Sequence, residues 1–308
     1  MFQSVIRKPV LAFVPGLICL VLLLSSCSSS KPSSSRASLA IPAEQRYREA
    51  TEMIAKRKYD KAITRLEPLM FSTRATDLED DVLHSLAEAY FLSKQYLLSA
   101  DIYRRLLQQT PDSPFAKDAQ YQLGRAYEKL SPMHELDQEY TVKAIAEFQT
   151  YLDQYPGQES EQAVNDVETY RELLKVNPNN FSYKTKYAAA MAELSRQSPS
   201  SYCAAAIPVL REKLAHNRYS IAQQYVKLKK YRSAVLFFDQ VIGLYPDTRW
   251  LEPAWLGKID MDIKRHKWFE ARQAIEQFQQ LYPDKSKKVE GAYKKVMENF
   301  SNSRQKQK

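Results

Sequence analysis

The stretch Leu86-Ala87-Glu88-Ala89-Tyr90 is followed by Tyr96, Ser99, Tyr103, Leu106 and Pro111, and its pattern decides the fold. Small and large apolar residues alternate at helical spacing, a short turn separates two such runs, and a proline closes the second. The pattern returns as Leu123-Gly124-x-Ala126-Tyr127, Ala144, Phe148, Tyr151 and Pro156, and again as Ile221-Ala222-x-x-Tyr225, Tyr231, Ala234, Phe238, Val241 and Pro246. Trp255, Trp268, Ala271, Ile275, Phe278 and Pro283 form a further copy. Ala50, Tyr59, Ala62, Leu66 and Leu69 form an earlier one, in which Met70-Phe71 replaces the closing proline. Runs of alternating Val, Ile and Thr, and Asn-Gly or Asp-Gly hairpins, are absent, so strands are not expected.

Set in register, the prolines give a repeat of about 34 residues, the period of tetratricopeptide units. Each unit is a helix A and a helix B that meet at small residues, here Ala50, Ala87, Gly124 and Ala222. One unit leaves an apolar face open, and stacking neighbours bury it. The expected architecture is an all-α tetratricopeptide-repeat solenoid of about five repeats over residues 43–284. The turn of the third repeat, Ser131 to Gln138, is enlarged by about eight residues. Glu161 to Val176 and Ser182 to Gln197 read as an inserted helical hairpin (about 158–198), with stacking as a degenerate repeat favoured over projection. A further helix from Ala204 to about Leu228 then enters the fourth repeat.

The N-terminus reads as a lipoprotein signal peptide over residues 1–26. Arg7 and Lys8 precede an apolar run, Val10 to Leu24, interrupted by Pro15-Gly16, and Leu24-Ser25-Ser26-Cys27 matches a lipobox. The run is too short for a comfortable membrane span. Cys27 is the expected acylation site, followed by a Ser-rich tether over 27–42. Ser28 after the cysteine points to the outer membrane.

The net charge of +9 falls to +7 when Arg7 and Lys8 leave with the leader, and much of the excess lies in a basic C-terminal segment, 285–308. Export argues against nucleic acid and leaves anionic lipid, an acidic partner or a solvated tail as readings. Cys203 has no partner thiol, the four histidines lack metal-ligand spacing, and no glycine-rich phosphate loop or nucleophile elbow occurs. The expectation is no catalytic residues, no metal and no cofactor.

A lipobox, a short tether and about five tetratricopeptide units together resemble the YfiO-type (BamD) lipoproteins of outer-membrane β-barrel assembly. The residues that carry the likeness are Leu214-Ala215 through Tyr219-Ser220-Ile221-Ala222 to Tyr225, Tyr245-Pro246-Asp247-Thr248, and Tyr47 to Leu69. The resemblance implies a non-enzymatic, periplasm-facing subunit lipid-anchored at the outer membrane. Its C-terminal repeats would dock on the POTRA region of a BamA-like protein, among other assembly subunits, and its N-terminal repeats would recognise unfolded outer-membrane proteins. By position in the repeat, Tyr47, Thr51, His84, Glu88, Phe91, Tyr121 and Arg125 are expected to line the N-terminal groove, with Arg125 meeting a terminal carboxylate. A Tol-Pal or cell-wall-coordinating repeat protein and, further off, a peptidoglycan-acting enzyme with two carboxylates stand as alternatives.

Overall fold

The computed structural model describes residues 42–155 and 161–305. The leader, Cys27, the tether up to residue 41, and Pro156 lie outside the described residues. Thirteen α-helices are described: α1 Ala43–Ala55, α2 Tyr59–Ser72, α3 Glu79–Leu92, α4 Tyr96–Gln109, α5 Ala116–Leu130, α6 Glu139–Gln154, α7 Glu161–Val176, α8 Phe181–Gln197, α9 Pro199–Lys227, α10 Tyr231–Leu244, α11 Leu251–Lys264, α12 Trp268–Leu281 and α13 Glu290–Gln305. A 3₁₀ segment, Pro283–Val289, joins the last two. No strand occurs among the described residues. The chain is an all-α tetratricopeptide solenoid.

Four A–B turns are built alike. Arg57, Lys94, Lys229 and His266 take positive φ values of 56–65°, each two residues before helix B begins. The next amide then reaches back five residues: Lys58 N–H to Met53 at 2.8 Å, Gln95 to Tyr90 at 2.8 Å, Lys230 to Tyr225 at 2.9 Å, Lys267 to Asp262 at 2.9 Å. This is the Schellman closure, which satisfies orphan carbonyls at the end of helix A and reverses the chain. Non-glycine residues occupy the strained position every time, so packing of the two helices holds the turn.

Equivalent residues recur 37 positions apart, as Tyr59 to Tyr96 and Tyr231 to Trp268 show, and not 34. The extra residues lie in the B–A connectors. Thr76 N–H to Thr73 and Glu79 N–H to Thr76 form two nested turns there, repeated at Thr110-Ser113-Ala116 and Tyr245-Thr248-Leu251. Before each closing proline, Thr110, Tyr245 and Tyr282 leave the helical region, with φ near −132° and ψ of 50–69°, in keeping with the proline ring's exclusion of the α conformation.

Consecutive repeats pack directly, α2 on α3, α4 on α5, α6 on α9 and α10 on α11. One apolar cluster runs from Ala50 to Leu214, a second joins Ala222, Phe238 and Met261, and a third joins Trp255, Ile275, Phe278 and Val296. The enlarged turn of the third repeat spans residues 131–138, as expected. It is fastened to α9 by Lys213 Nζ to Ser131 Oγ (2.7 Å) and Asn217 Nδ2 to the His134 carbonyl (2.7 Å).

Three expectations are corrected. Because α6 packs directly on α9, the hairpin α7–α8 is not interposed between the third and fourth repeats as a degenerate repeat, and Val167 and Leu194 bury its inner side against the main cluster. The helix after it begins at Pro199, not Ala204. Proline is tolerated at the first helical position, where its missing N–H costs nothing, and Ser198 Oγ caps Ser201 N–H. The segment 285–308 is not a tail as far as residue 305. Val289 and Val296 are buried against the α12 cluster, and Glu252 holds Lys285 and Lys288 at 2.9 and 2.5 Å. The apolar stripe Val289, Tyr293, Val296 was masked in the sequence by its lysines, and it caps the solenoid's last open face.

Close approach rests on small residues. A Cβ placed on Gly124 would lie 2.6 Å from the Phe148 ring, and one on Gly257 would lie 2.4 Å from Phe238. Both rings are fully buried. Gly124→Ala is expected to destabilise by about 1–3 kcal/mol through overpacking. Phe148→Leu in the same chain should recover part of that loss in a denaturant titration, because the two sites couple.

Candidate interaction surface

Helices α1, α3 and α5 are the A helices of the first three repeats, and their facing side chains are linked in sequence. Tyr47 Oη on α1 lies 3.0 Å from Ser85 Oγ on α3, and His84 Nε2 on α3 lies 2.8 Å from Asp118 Oδ2 on α5. His84 also stacks on Phe115, with ring centroids 4.5 Å apart. Burial raises the Tyr47 phenol above its ordinary pKa, with Asp81, Glu88 and Asp80 adding to the effect. Thr51 turns its hydroxyl back to the Arg48 carbonyl at 2.9 Å, Glu88 is exposed, and half-buried Phe91 meets Tyr96 edge-on at 5.3 Å.

Tyr121 and Arg125 are separated from the other five. Tyr121 is only 4 % exposed, and its hydroxyl lies 2.6 Å from Ser195 Oγ of α8. Arg125 donates to Tyr121 Oη at 2.9 Å and to Ser195, pairs with Glu128 at 3.2 Å, and lies over the Tyr202 ring at 4.5 Å. Tyr202 in turn donates to both Glu128 oxygens, at 2.9 and 2.7 Å. Arg125, expected to meet a partner's carboxylate, is thus engaged within the chain. Its guanidinium is already paired, and the end of the hairpin covers it. Glu128 is an i,i+3 partner on the same helix, but Ser195 and Tyr202 carry no sequence signal for this role, because they reach the cluster from 70 or more positions away.

Cys203 sits buried beside this cluster, and burial, then the charge of Glu128, push its thiol up to about 12. It is therefore protonated and inert at neutral pH. Among the described residues no group of three or more His, Cys, Asp or Glu is placed to hold a metal ion. No described helix is long and apolar enough to cross a membrane.

A stack of aromatic rings locks the third repeat to the fourth. His134 of the enlarged turn lies 3.4 Å from His216 of α9, which lies 4.1 Å from Trp250 at the head of α11, and all three planes are nearly parallel. Burial, then His134 and Arg249, push the His216 pKa down to about 4, against a small opposing effect of Glu135. The folded-state value lies below the ordinary 6.5, so the stabilisation is complete above about pH 6.5 and is lost as pH falls toward 4. Thermal midpoints should fall over that interval. His216→Phe, which keeps a stackable ring without a titrating proton, should flatten the fall.

Residues 211–308 match the model of a family described as YfiO, outer membrane lipoprotein, and residues 118–157 match a tetratricopeptide repeat model. No curated protein matches the chain. Similar solved structures include the TPR2AB domain of yeast Sti1, at 14 % identity over 83 % of this chain and 98 % of that one, TM-score 0.31. A tetratricopeptide repeat protein from Parabacteroides merdae has the same identity and coverages and a TM-score of 0.33. A thermophilic protein of the same kind from Thermus thermophilus has 13 % identity over 83 % and 99 %, TM-score 0.30. The YfiO match begins on α9 and takes in the fourth and fifth repeats and α13. The chain is an all-α tetratricopeptide solenoid whose residues 211–308 match the YfiO outer membrane lipoprotein model.

Proposed function

We propose that the protein is a lipid-anchored, non-enzymatic scaffold of outer-membrane β-barrel assembly, held by acylated Cys27 and facing the periplasm. The observation that carries this reading is the YfiO match over the two C-terminal repeats and the capping helix. In this reading those repeats dock on the POTRA region of a BamA-like protein, with other assembly subunits alongside. The first two repeats receive a segment of an unfolded outer-membrane protein. Tyr47, Thr51, His84, Glu88 and Phe91 line that receiving face. Tyr121 and Arg125 join it only when the hairpin moves aside. The stacked A helices support the reading physically, since they give a long, rigid surface with little ordering cost on binding. No chemistry is assigned to the chain, and it works by contact.

Mild detergent extraction of outer membranes should bring the protein down with a BamA-like barrel protein. Recovery as a lone monomer would sink the reading. Cys27→Ala should move the protein from the membrane to the soluble fraction, because two or three acyl chains supply the anchoring.

A further inference from the structure

The hairpin that departs from the repeat pattern creates a cleft the solenoid alone does not have. A cavity of about 420 Å³ lies between α7, α8, α9 and the α10–α11 connector. Its apolar walls are Leu174 of α7, the Tyr187 ring of α8, and Pro208 and Val209 of α9. The volume falls within the range of specific binding pockets and exceeds that of a single aromatic side chain. Val209 is 37 % exposed, and the hairpin tip just beyond Leu174 presents Val176 and Phe181 at 87 % and 82 %. Scattered single apolar residues need no account, but a cavity bordered by a helical tip with two such residues marks an interaction surface.

Charge at the rim says what enters. Two carboxylates line the cleft, and arginines hold both. Asp247 pairs with Arg211 at 2.8 Å, and Glu212 accepts the Arg249 N–H at 2.8 Å with the guanidinium 3.5 Å away. The opposite wall carries Arg171 and Lys175, whose ion pairs are with Glu168 and Glu172 three residues earlier on the same helix. Both glutamates are about half exposed, and such surface pairs are readily exchanged. On the α7–α8 wall Arg171 Nε and the Tyr187 hydroxyl are buried without any hydrogen-bond partner, and on the α9 wall so is Glu212 Oε2, whose charge the Arg249 guanidinium faces. Buried donors of this kind call for an acceptor. A basic segment would meet Arg171, Lys175 and Arg249 together. A flat bilayer cannot enter a cleft.

We propose that this cleft docks a segment of another protein that inserts one bulky apolar side chain between Tyr187 and Val209 and sets carboxylates against Arg171 and Lys175. The occupant differs from anything offered to the α1–α3 face, and its binding is read without any assembly partner.

The test uses the mature chain carrying Cys27→Ala and a fluorescein-labelled hexapeptide that alternates Glu with Phe. Anisotropy should rise to saturation. The same peptide with Lys in place of Glu should bind at least tenfold more weakly. Arg171→Glu combined with Lys175→Glu should weaken the acidic peptide at least tenfold, and helical circular dichroism checks that the variant, at half-buried Arg171 and exposed Lys175, is folded. Arg171→Lys should retain most of the affinity. Equal binding of both peptides, full binding to the double variant, or no acidic-peptide binding at millimolar concentration overturns the proposal. Flotation with phosphatidylglycerol vesicles in the absence of peptide binding assigns the surface to lipid and overturns it as well.

Discussion

Helix A and helix B of each repeat must approach until an aromatic ring covers a bare backbone, and the rest of the solenoid follows from that constraint. Gly124 under Phe148 is the tightest such point within a repeat, Gly257 under Phe238 repeats the device between the fourth repeat and the fifth, and Ala50, Ala87 and Ala222 are fully buried at the equivalent small-residue positions. Close approach lets the three-residue turn between helices close at all. That turn places Arg57, Lys94, Lys229 or His266 in a left-handed conformation that none of these residues prefers. Local preference is overruled at four sites by packing, so the turns and the core stand or fall together.

From the closed pair the solenoid grows by contact with its neighbour only. The connectors repeat one geometry, so the repeats keep a constant offset up to the third. There the offset is interrupted by an enlarged turn and then by the hairpin, and α9, about 44 Å long at 1.5 Å per residue, carries the stack across the break. Its C-terminal half is helix A of the fourth repeat. Its N-terminal half serves the hairpin and the Tyr121–Arg125–Glu128–Tyr202 cluster. The ring stack of His134, His216 and Trp250 ties the same junction from the other side. The middle of the molecule is thus where polar and aromatic contacts do what apolar repetition does elsewhere.

This arrangement bears on function. The first two repeats offer an A-helix face with exposed Glu88 and half-buried Tyr47, His84 and Phe91, whereas the third has its equivalent face occupied by the chain's own hairpin. The portion that matches the YfiO model begins on α9, on the far side of the break. Two surfaces of different character are therefore carried on one rod, and the hairpin stands between them with an apolar tip of its own.

The sequence by itself determined the helices, their pairing, the enlarged turn at 131–138 and the inserted hairpin, because helical periodicity, small-residue positions and closing prolines are local signals. It also carried the family likeness of the C-terminal repeats. Only the tertiary structure decided that the hairpin is not interposed in the stack, that α13 folds back as a cap, and that Arg125 is consumed by Glu128, Ser195 and Tyr202. The repeat position of Arg125 says which way its helix faces and Glu128 is a local partner, but Ser195 and Tyr202, which cover it, lie 70 or more positions along the chain. Contacts between residues 70 or more positions apart depend on how α9 spans the junction, and no periodicity encodes that path.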